Sequence, residues 1–216
     1  MAGGRNAVSI ANASRLRAAS RPKVVVQISL IIITGFKGDG KTVFCSSLLW
    51  HGYKAGRKIF SNYHLEFPYE SINLKEMLTK EGSKKIKDGM LAIDEAQMWM
   101  DCRLSGSNKN RLGSYLMLQG RKRRIDIILT SQQMANVDIR FRKNCDVQYE
   151  CTALKIDYDN RKLRKATIEE KDGHDIDLVK VVMTDFTMNY QRKTIFDPTF
   201  FFDKFDSDEF VDITDE

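Results

Sequence analysis

Two short stretches of the sequence carry residue types that act together on phosphate groups. The first, GFKGDGKT at 35–42, has the form G-x-x-x-x-G-K-T. Its glycines admit backbone conformations closed to other residues, so successive N–H groups can point inward at an anion. In this pattern Lys41 reaches the β- and γ-phosphates of a nucleotide, and the Thr42 hydroxyl ligates Mg²⁺. The stretch predicts a nucleotide-binding loop made of Gly35, Phe36, Lys37, Gly38, Asp39, Gly40, Lys41 and Thr42.

The second stretch, GMLAIDEAQMW at 89–99, is an apolar run that leads into two acids. An NTPase needs such a strand, with an acid placed near the phosphates. Asp94, which lies 52 residues beyond Thr42, is predicted to hold Mg²⁺ through its water shell. Glu95 is the candidate base that orients and polarises the attacking water. We therefore expect ATP and Mg²⁺ as cofactors, and the pair favours hydrolysis over a GTPase-type switch or a small-molecule kinase.

These two stretches need secondary structure that brings them to one edge of a sheet. The β-branched run at 24–35 predicts a buried strand before the loop, and a helix is expected from Lys41 to about Tyr53. The N-terminus of that helix favours a bound phosphate through its dipole. Open α/β sheets bind ligands at the carboxyl ends of their strands, where the acidic pair lies.

Beyond residue 150 the sequence changes to alternating strand patterns. VQYECTALKI and LVKVVMTDFTM alternate like strands, and DYDNRK and EKDGHD are typical of turns. The expected fold class is α/β, a three-layer P-loop NTPase (RecA/ASCE-like) with a mostly parallel central sheet extended by antiparallel strands. The strand of the acidic pair and the strand ending in Gln132 are expected beside the strand of the phosphate loop.

Charge is distributed unevenly along the chain of 216 residues. The net charge is +6, but the last twenty residues carry −7, so residues 1–196 carry +13. A basic body indicates a polyanionic partner such as nucleic acid. No apolar run approaches the ~20 residues that cross a bilayer, so we expect no stable membrane span. The expected domains are a flexible basic arm (1–23), an ATPase domain (24–196) and an acidic aromatic tail (197–216), either free or docked on a neighbouring subunit or basic surface.

A basic run leads directly into a strand-like stretch in GRKRRIDIILTSQQ at 120–133. This stretch resembles a segment of the FtsK–HerA-type DNA-pumping ATPases, in which an arginine precedes a strand that ends in a sensor glutamine. The resemblance implies that Gln132, or less favourably Gln133, lies beside the γ-phosphate. It implies that Arg121 reaches a neighbouring subunit's nucleotide, where a planar guanidinium makes hydrolysis depend on assembly.

The resemblance extends over about residues 24–150 and includes GRKIFSNYHL, with a strand-end Asn62. The stretch after the acidic pair is similar to archaeal-virus genome-packaging ATPases and, more distantly, to zonula occludens toxin and filamentous-phage assembly proteins. VDIRFRKNCD matches a later family segment with a basic residue and an Asn. Arg103 and Arg142 are second candidates for the arginine that acts in trans.

The other cations of the basic run have two open interpretations. Lys122, Arg123 and Arg124 are candidate contacts to the DNA backbone, which neutralise phosphates without reading sequence. Alternatively, they form a solvated helix end, where cations suit the helix dipole.

The resemblance implies an ATP-driven double-stranded DNA translocase that packages a viral genome. It would act as a homo-oligomeric ring, a hexamer, in the host cytoplasm or associated with the virion, with capsid or portal-vertex proteins as partners. The alternatives are a filamentous-phage-type assembly or export ATPase and a non-hydrolysing nucleotide-binding adaptor. The adaptor is disfavoured by the intact Glu95. A small-molecule kinase would need an acceptor pocket and a lid motif, and no lid motif is visible.

Overall fold

The computed structural model describes residues 29–73, 77, 82–98, 120, 122–173 and 175–206. The strands are β1 (Leu30–Thr34), β2 (Lys58–Ser61), β3 (Glu70–Ser71), β4 (Gly89–Ile93), β5 (Ile125–Ser131), β6 (Val147–Asp157), β7 (Lys162–Lys165), β8 (Leu178–Asp185) and β9 (Tyr190–Phe196). The helices are α1 (Lys41–Lys54), α2 (Gly82–Lys85), α3 (Ile139–Lys143) and α4 (Ile168–Asp172). Short 3₁₀ turns lie at Ala96–Met98, Met134–Asn136 and Thr199–Lys204.

These strands form one sheet in the order β3-β2-β4-β5-β1-β6-β8-β9, with β7 paired to β6. The first six strands of this order run parallel. The strand that ends before Gln132, β5, lies directly beside the loop strand β1, as predicted. The expectation that the acidic-pair strand β4 also lies beside β1 is wrong, because β5 lies between them.

Alternation along the strands divides the core between the two faces of the sheet. On β1, Ile32 packs into a cluster with Phe60, Leu91 and Phe141, whereas Ile33 packs on the opposite face with Phe44 and Leu49 of α1. Two-sided burial explains why β1, β4 and β5 are almost continuous apolar runs. Helix α1 extends one residue beyond the predicted end at Tyr53 and stops before Gly56, which has φ 81°. The predicted α/β fold class is confirmed.

Antiparallel strands extend the sheet beyond β6, as predicted. β6 pairs antiparallel with both β7 and β8, and β8 pairs antiparallel with β9. The turn predicted at DYDNRK joins β6 to β7. The EKDGHD stretch differs from its prediction, because its first three residues belong to helix α4. Thr167 and Glu170 form a capping box there, which stabilises the start of the helix. The glycine and acids of this stretch had favoured a turn instead.

The start of the acidic tail packs on the body of the same chain. Phe201 is buried and its ring stacks on Phe196 at 5.6 Å, while Phe200 lies 6.0 Å from the Trp50 ring of α1. The Glu66 N–H donates to the Lys204 carbonyl at 2.9 Å. Residues 1–28 and 207–216 lie outside the described residues, and the division of the chain into three domains stays a prediction.

Within the described part of the chain, no helix combines the length and the apolar character that crossing a bilayer requires.

Candidate functional site

The predicted phosphate loop connects the carboxyl end of β1 to the start of α1. Gly38 has φ 72° and Gly40 has φ 81°, a region that residues with a side chain rarely adopt. Space is also lacking: a Cβ on Gly40 would lie 2.6 Å from Val179 Cγ2, and one on Gly38 would lie 2.5 Å from Lys171 Cβ. Glycine is therefore required at both positions by the backbone and by the packing.

Lys41 joins the loop to the acidic pair. Its side chain is buried, and its ammonium donates to the Phe36 carbonyl of the loop at 3.2 Å. The same Nζ lies 4.0 Å from Glu95 Oε1. A buried cation between the loop and a carboxylate suits the binding of a terminal phosphate.

Thr42 and Asp94 lie together, which is the arrangement that a magnesium site needs. Thr42 is in the first turn of α1, and Asp94 follows β4 directly. The Thr42 hydroxyl donates to Asp94 Oδ2 at 3.1 Å. Mg²⁺ prefers oxygen ligands and is held by one or two carboxylates together with substrate phosphates and water. A hydroxyl and a carboxylate converging beside the phosphate loop therefore fit this ion.

Asp94 is held by the neighbouring strand as well. The Thr130 hydroxyl of β5 donates to Asp94 Oδ1 and accepts from the Glu95 N–H at 3.0 Å. Burial raises the pKa of Asp94, and the nearby charge of Glu95 raises this pKa further. The hydrogen bond from Thr130 and the charge of Lys41 act in the opposite direction. The Asp94 carboxylate is thus partly desolvated and held by the hydroxyls of Thr42 and Thr130.

Asn62 fixes the backbone of Asp94 from the other side. It follows β2, and its side-chain oxygen accepts from the Asp94 N–H at 2.7 Å while its amide donates to the Asp94 carbonyl at 3.2 Å. The resemblance pointed to this strand-end Asn without giving it a role. The sequence reasoning missed Thr130, although a hydroxyl residue two positions before Gln132 was an available signal.

Glu95 has a backbone conformation that turns its side chain toward the loop region. Its φ is 49°, uncommon for a residue with a side chain. Oε1 is the oxygen near Lys41, and Oε2 accepts a hydrogen bond from the Gln97 amide. The Glu95 side chain is 32% exposed, so water can reach it. These contacts place a candidate base next to the lysine of the phosphate loop.

Gln132 follows β5 and touches the phosphate loop through its backbone. Its carbonyl accepts from the Gly35 N–H at 3.3 Å, and its side chain is exposed at this edge of the sheet. Gln133 is exposed too, and its carbonyl accepts from Ser131 Oγ at 3.1 Å. The position of Gln132 is compatible with a sensor of the terminal phosphate.

The described cations of the basic run lie at the opposite edge of the sheet, before β5 begins. Lys122 and Arg124 are exposed, and Arg123 is partly buried. Arg124 forms an ion pair with Asp88, which precedes β4. These cations therefore lie at the amino ends of the parallel strands and away from the loop of their own chain.

Of the three candidate trans arginines, the described residues include only Arg142. Arg121 and Arg103 lie outside the described residues. Arg142 lies in α3 and is half-buried. Among the described residues, its Nε has no hydrogen-bond partner.

Comparison with known sequences identifies a family. Residues 29–195 match the family profile described as Zonular occludens toxin (Zot). A search of curated proteins by sequence found no match.

Comparison with solved structures gives the same fold. The N-terminal domain of zonular occludens toxin from Neisseria meningitidis has a TM-score of 0.57 and 16% identity, covering 83% of this chain and 99% of that one. The genome packaging NTPase B204 from Sulfolobus turreted icosahedral virus 2 in complex with AMP has a TM-score of 0.52 and 12% identity, covering 77% and 96%. The same NTPase in complex with ATP-gammaS has a TM-score of 0.51 and 12% identity, covering 76% and 96%. At these identities the likeness shows a shared P-loop NTPase fold.

Proposed function

The chain belongs to the zonular occludens toxin family, and from this premise we propose that it is a Mg²⁺-dependent ATPase that moves DNA. The observation that carries the ATPase part is the convergence of four side chains at one edge of the sheet. Lys41 lies between the loop and Glu95, and Thr42 hydrogen-bonds to Asp94. Nucleotide-bound structures of the packaging NTPase with this fold support nucleotide as the ligand.

Each side chain has a role that its position supports. The loop amides of residues 35–42 and Lys41 bind the phosphates. Thr42 and Asp94 hold Mg²⁺, which supplies charge neutralisation on the phosphates. Glu95 orients the attacking water toward the γ-phosphate and takes its proton. Gln132 senses whether that phosphate is present.

Movement of DNA is supported by charge rather than by the nucleotide site. Residues 1–196 carry +13, and this charge includes Lys122, Arg123 and Arg124 at the amino edge of the sheet. Cations that contact the DNA backbone bind double-stranded DNA without sequence preference, as a translocase requires.

A ring of identical subunits completes the proposed site. A guanidinium supplied by a neighbour would stabilise charge that develops on the transferred phosphoryl group. Arg121 is the first candidate, with Arg103 and Arg142 as alternatives. A closed ring, which we propose is a hexamer, supplies one such neighbour to every site.

Two biological roles are compatible with an ATPase that moves DNA or a DNA–protein assembly. The first is the pumping of a viral genome into a capsid, with capsid or portal-vertex proteins as partners, in the host cytoplasm or on the virion. The fold shared with a genome packaging NTPase supports this candidate. The second is assembly or export of the filamentous-phage type, and the family match favours it.

ATPase activity measured with and without DNA tests the proposal. Hydrolysis should require Mg²⁺ and should rise when double-stranded DNA is added. Lys41→Ala is the control, because loss of the phosphate cation should weaken ATP binding measured by calorimetry. A protein that binds ATP without turnover would instead be an assembly adaptor. Turnover that ignores double-stranded DNA but responds to single-stranded DNA or to phage coat protein would favour the assembly and export candidate.

A further inference from the structure

Helix α4, in the antiparallel extension, contacts the phosphate loop through two reciprocal ion pairs. Lys171 Nζ lies 2.5 Å from Asp39 Oδ1, and Asp172 Oδ1 lies 3.3 Å from Lys37 Nζ. The loop thus contributes one cation and one anion, and the helix contributes the opposite charges. The hydrolytic roles proposed above use neither pair.

These two pairs differ in burial. The side chains of Asp39 and Lys171 are 4% and 16% exposed, whereas those of Lys37 and Asp172 are 84% and 52% exposed. An exposed pair contributes little because water and salt screen it. Removing one partner of a buried pair leaves an uncompensated charge. The Asp39–Lys171 pair is therefore the one with a structural consequence.

Asp39 connects three parts of the molecule through one carboxylate. Oδ2 accepts from the Phe36 N–H within the loop at 2.9 Å. Oδ1 accepts from the Ala153 N–H of β6 at 3.2 Å and from Lys171. A Cβ on Gly38 would lie 2.5 Å from Lys171 Cβ, so the helix packs directly on the loop backbone. The shape of the loop is consequently coupled to the position of α4.

Helix α4 is itself fixed to the sheet. The Thr167 side chain caps the helix, and the Arg164 guanidinium of β7 donates to Glu170 Oε2 at 2.8 Å. Lys171 is therefore presented to the loop by an anchored element.

We propose that Lys171 is a positioning residue for the nucleotide site: by holding Asp39, it keeps the phosphate loop in the shape that receives phosphates. This inference rests on the proposed binding of nucleotide at residues 35–42. Without the lysine, a buried carboxylate would lose its counter-charge beside the incoming phosphates, and the loop would relax away from its partners. The loss should fall on binding, because Lys171 contacts none of the groups assigned to the hydrolytic step.

The direct test is Lys171→Met, which replaces lysine by an unbranched side chain of similar length and removes the charge. Its dissociation constant for ATP with Mg²⁺ should rise at least about tenfold, while kcat at saturating ATP should stay within about twofold. Lys171→Arg should restore most of the affinity. Asp172→Asn is the matched control on the same helix and should bind ATP like the wild type.

Two further measurements separate positioning from general damage. If Lys171→Met destabilises the fold, Asp39→Asn with Lys171→Met removes both charges together and should recover thermal stability. In the nucleotide-free protein, amide hydrogen exchange at residues 36–40 should be faster in Lys171→Met than in Asp172→Asn. Wild-type affinity in Lys171→Met, or unchanged exchange, would overturn the inference. If the wild type binds no nucleotide, the proposed function fails, and the exchange experiment still decides whether Lys171 holds the loop.

Discussion

The two ends of the parallel strands use polar residues in different ways. At the carboxyl end, Asp94 is held by Thr42, Thr130 and Asn62, and its neighbour Glu95 lies beside Lys41. At the amino end, Lys122 is exposed and Arg124 pairs only with another surface residue, Asp88, among the contacts described. The first end is organised around Asp94 by the chain itself, whereas Lys122 and Arg124 at the second end are exposed, so a partner can reach them. Variants at each end should therefore fail in different assays.

The largest expected effect is at the carboxyl end, in Glu95→Gln. The amide keeps the size of the side chain and its contact with Gln97 but cannot take a proton from water. Hydrolysis should fall by about 10²–10⁴-fold, the usual contribution of a general base. ATP affinity, measured by calorimetry, should change little, since removing the charge 4.0 Å from Lys41 does not remove a phosphate contact.

Lys41→Ala is the contrasting variant for this prediction. It should lose ATP binding as well as hydrolysis, since it removes the loop cation that is proposed to contact the phosphates. Full turnover in Glu95→Gln would move the general base to another residue.

The second prediction concerns Arg121, which directly precedes Lys122 in the sequence. If it acts in trans, Arg121→Ala should fold, bind ATP with wild-type affinity and lose about 10³-fold or more in hydrolysis. The assays are calorimetry for binding and steady-state phosphate release for turnover.

Mixing two inactive variants tests the requirement for a neighbour. Arg121→Ala subunits have an intact loop, and Lys41→Ala subunits have an intact Arg121, so mixed rings contain some complete interfaces. Partial activity should return on mixing. Continued inactivity at every ratio, with co-assembly demonstrated, would exclude Arg121 and transfer the test to Arg103 and Arg142.

The parts of the fold predicted best are those in which local chemistry leaves one solution. A loop with glycines at 38 and 40 requires positive φ, and the structure has 72° and 81° there. The buried strands β1, β4 and β5 could also be predicted, since strands buried on both faces are almost continuously apolar. Helix α1 could be placed within one residue because Gly56 marks its end.

What could not be predicted depends on long-range neighbours. The expected pairing of β4 with β1 is wrong because strand order is a property of the whole sheet, and the position of β5 between them is the reason that Thr130 reaches Asp94. Asp39 and Lys171 are 132 residues apart in sequence, so their pairing has no local signal. Packing of Phe201 on the body was hidden because aromatic residues interleaved with acids are equally typical of a free tail.

A third prediction concerns the folding free energy that is lost by burying the Asp94 carboxylate at the carboxyl end. The pKa of Asp94 is raised by burial, so the folded protein binds this proton more tightly than the unfolded chain does. Stability contributed by this group therefore falls as pH rises through the window above its ordinary pKa. Asp94→Asn should raise the melting temperature of the nucleotide-free, Mg²⁺-free protein at neutral pH, by about 2–4 °C for each kcal/mol recovered.

The pH dependence distinguishes this origin from a change in packing. The gain in melting temperature should shrink as pH falls toward the range where Asp94 is protonated in both states. A gain that is the same at acid and neutral pH would contradict the role of the buried charge. Hydrolysis by Asp94→Asn should be lost at every pH.

The smallest expected effect lies at the amino end, and it concerns DNA rather than ATP. Lys122 is exposed, so it is available to a phosphate, whereas Arg124 must first leave Asp88. Lys122→Ala should lower the slope of log affinity against log salt by about one unit, because one fewer counterion is released from the DNA. Arg124→Ala should lower it by less, since the guanidinium is already partly neutralised. Fluorescence anisotropy with a labelled duplex between 50 and 200 mM salt, the interval over which such contacts change affinity most visibly, measures both slopes.

Asp88→Ala is the matched variant for this pair. It frees Arg124 and removes an acid from the edge proposed to face DNA, so it should strengthen DNA binding and make Arg124→Ala in that background as costly as Lys122→Ala. ATP hydrolysis without DNA should not change in any of these variants, because none of the altered side chains reaches the carboxyl end of its own sheet. Identical salt slopes for the wild type and all three variants would show that the amino edge does not touch DNA. The basic run would then serve only as the solvated end of the segment before β5, and the DNA surface would have to be sought among the other cations of the body.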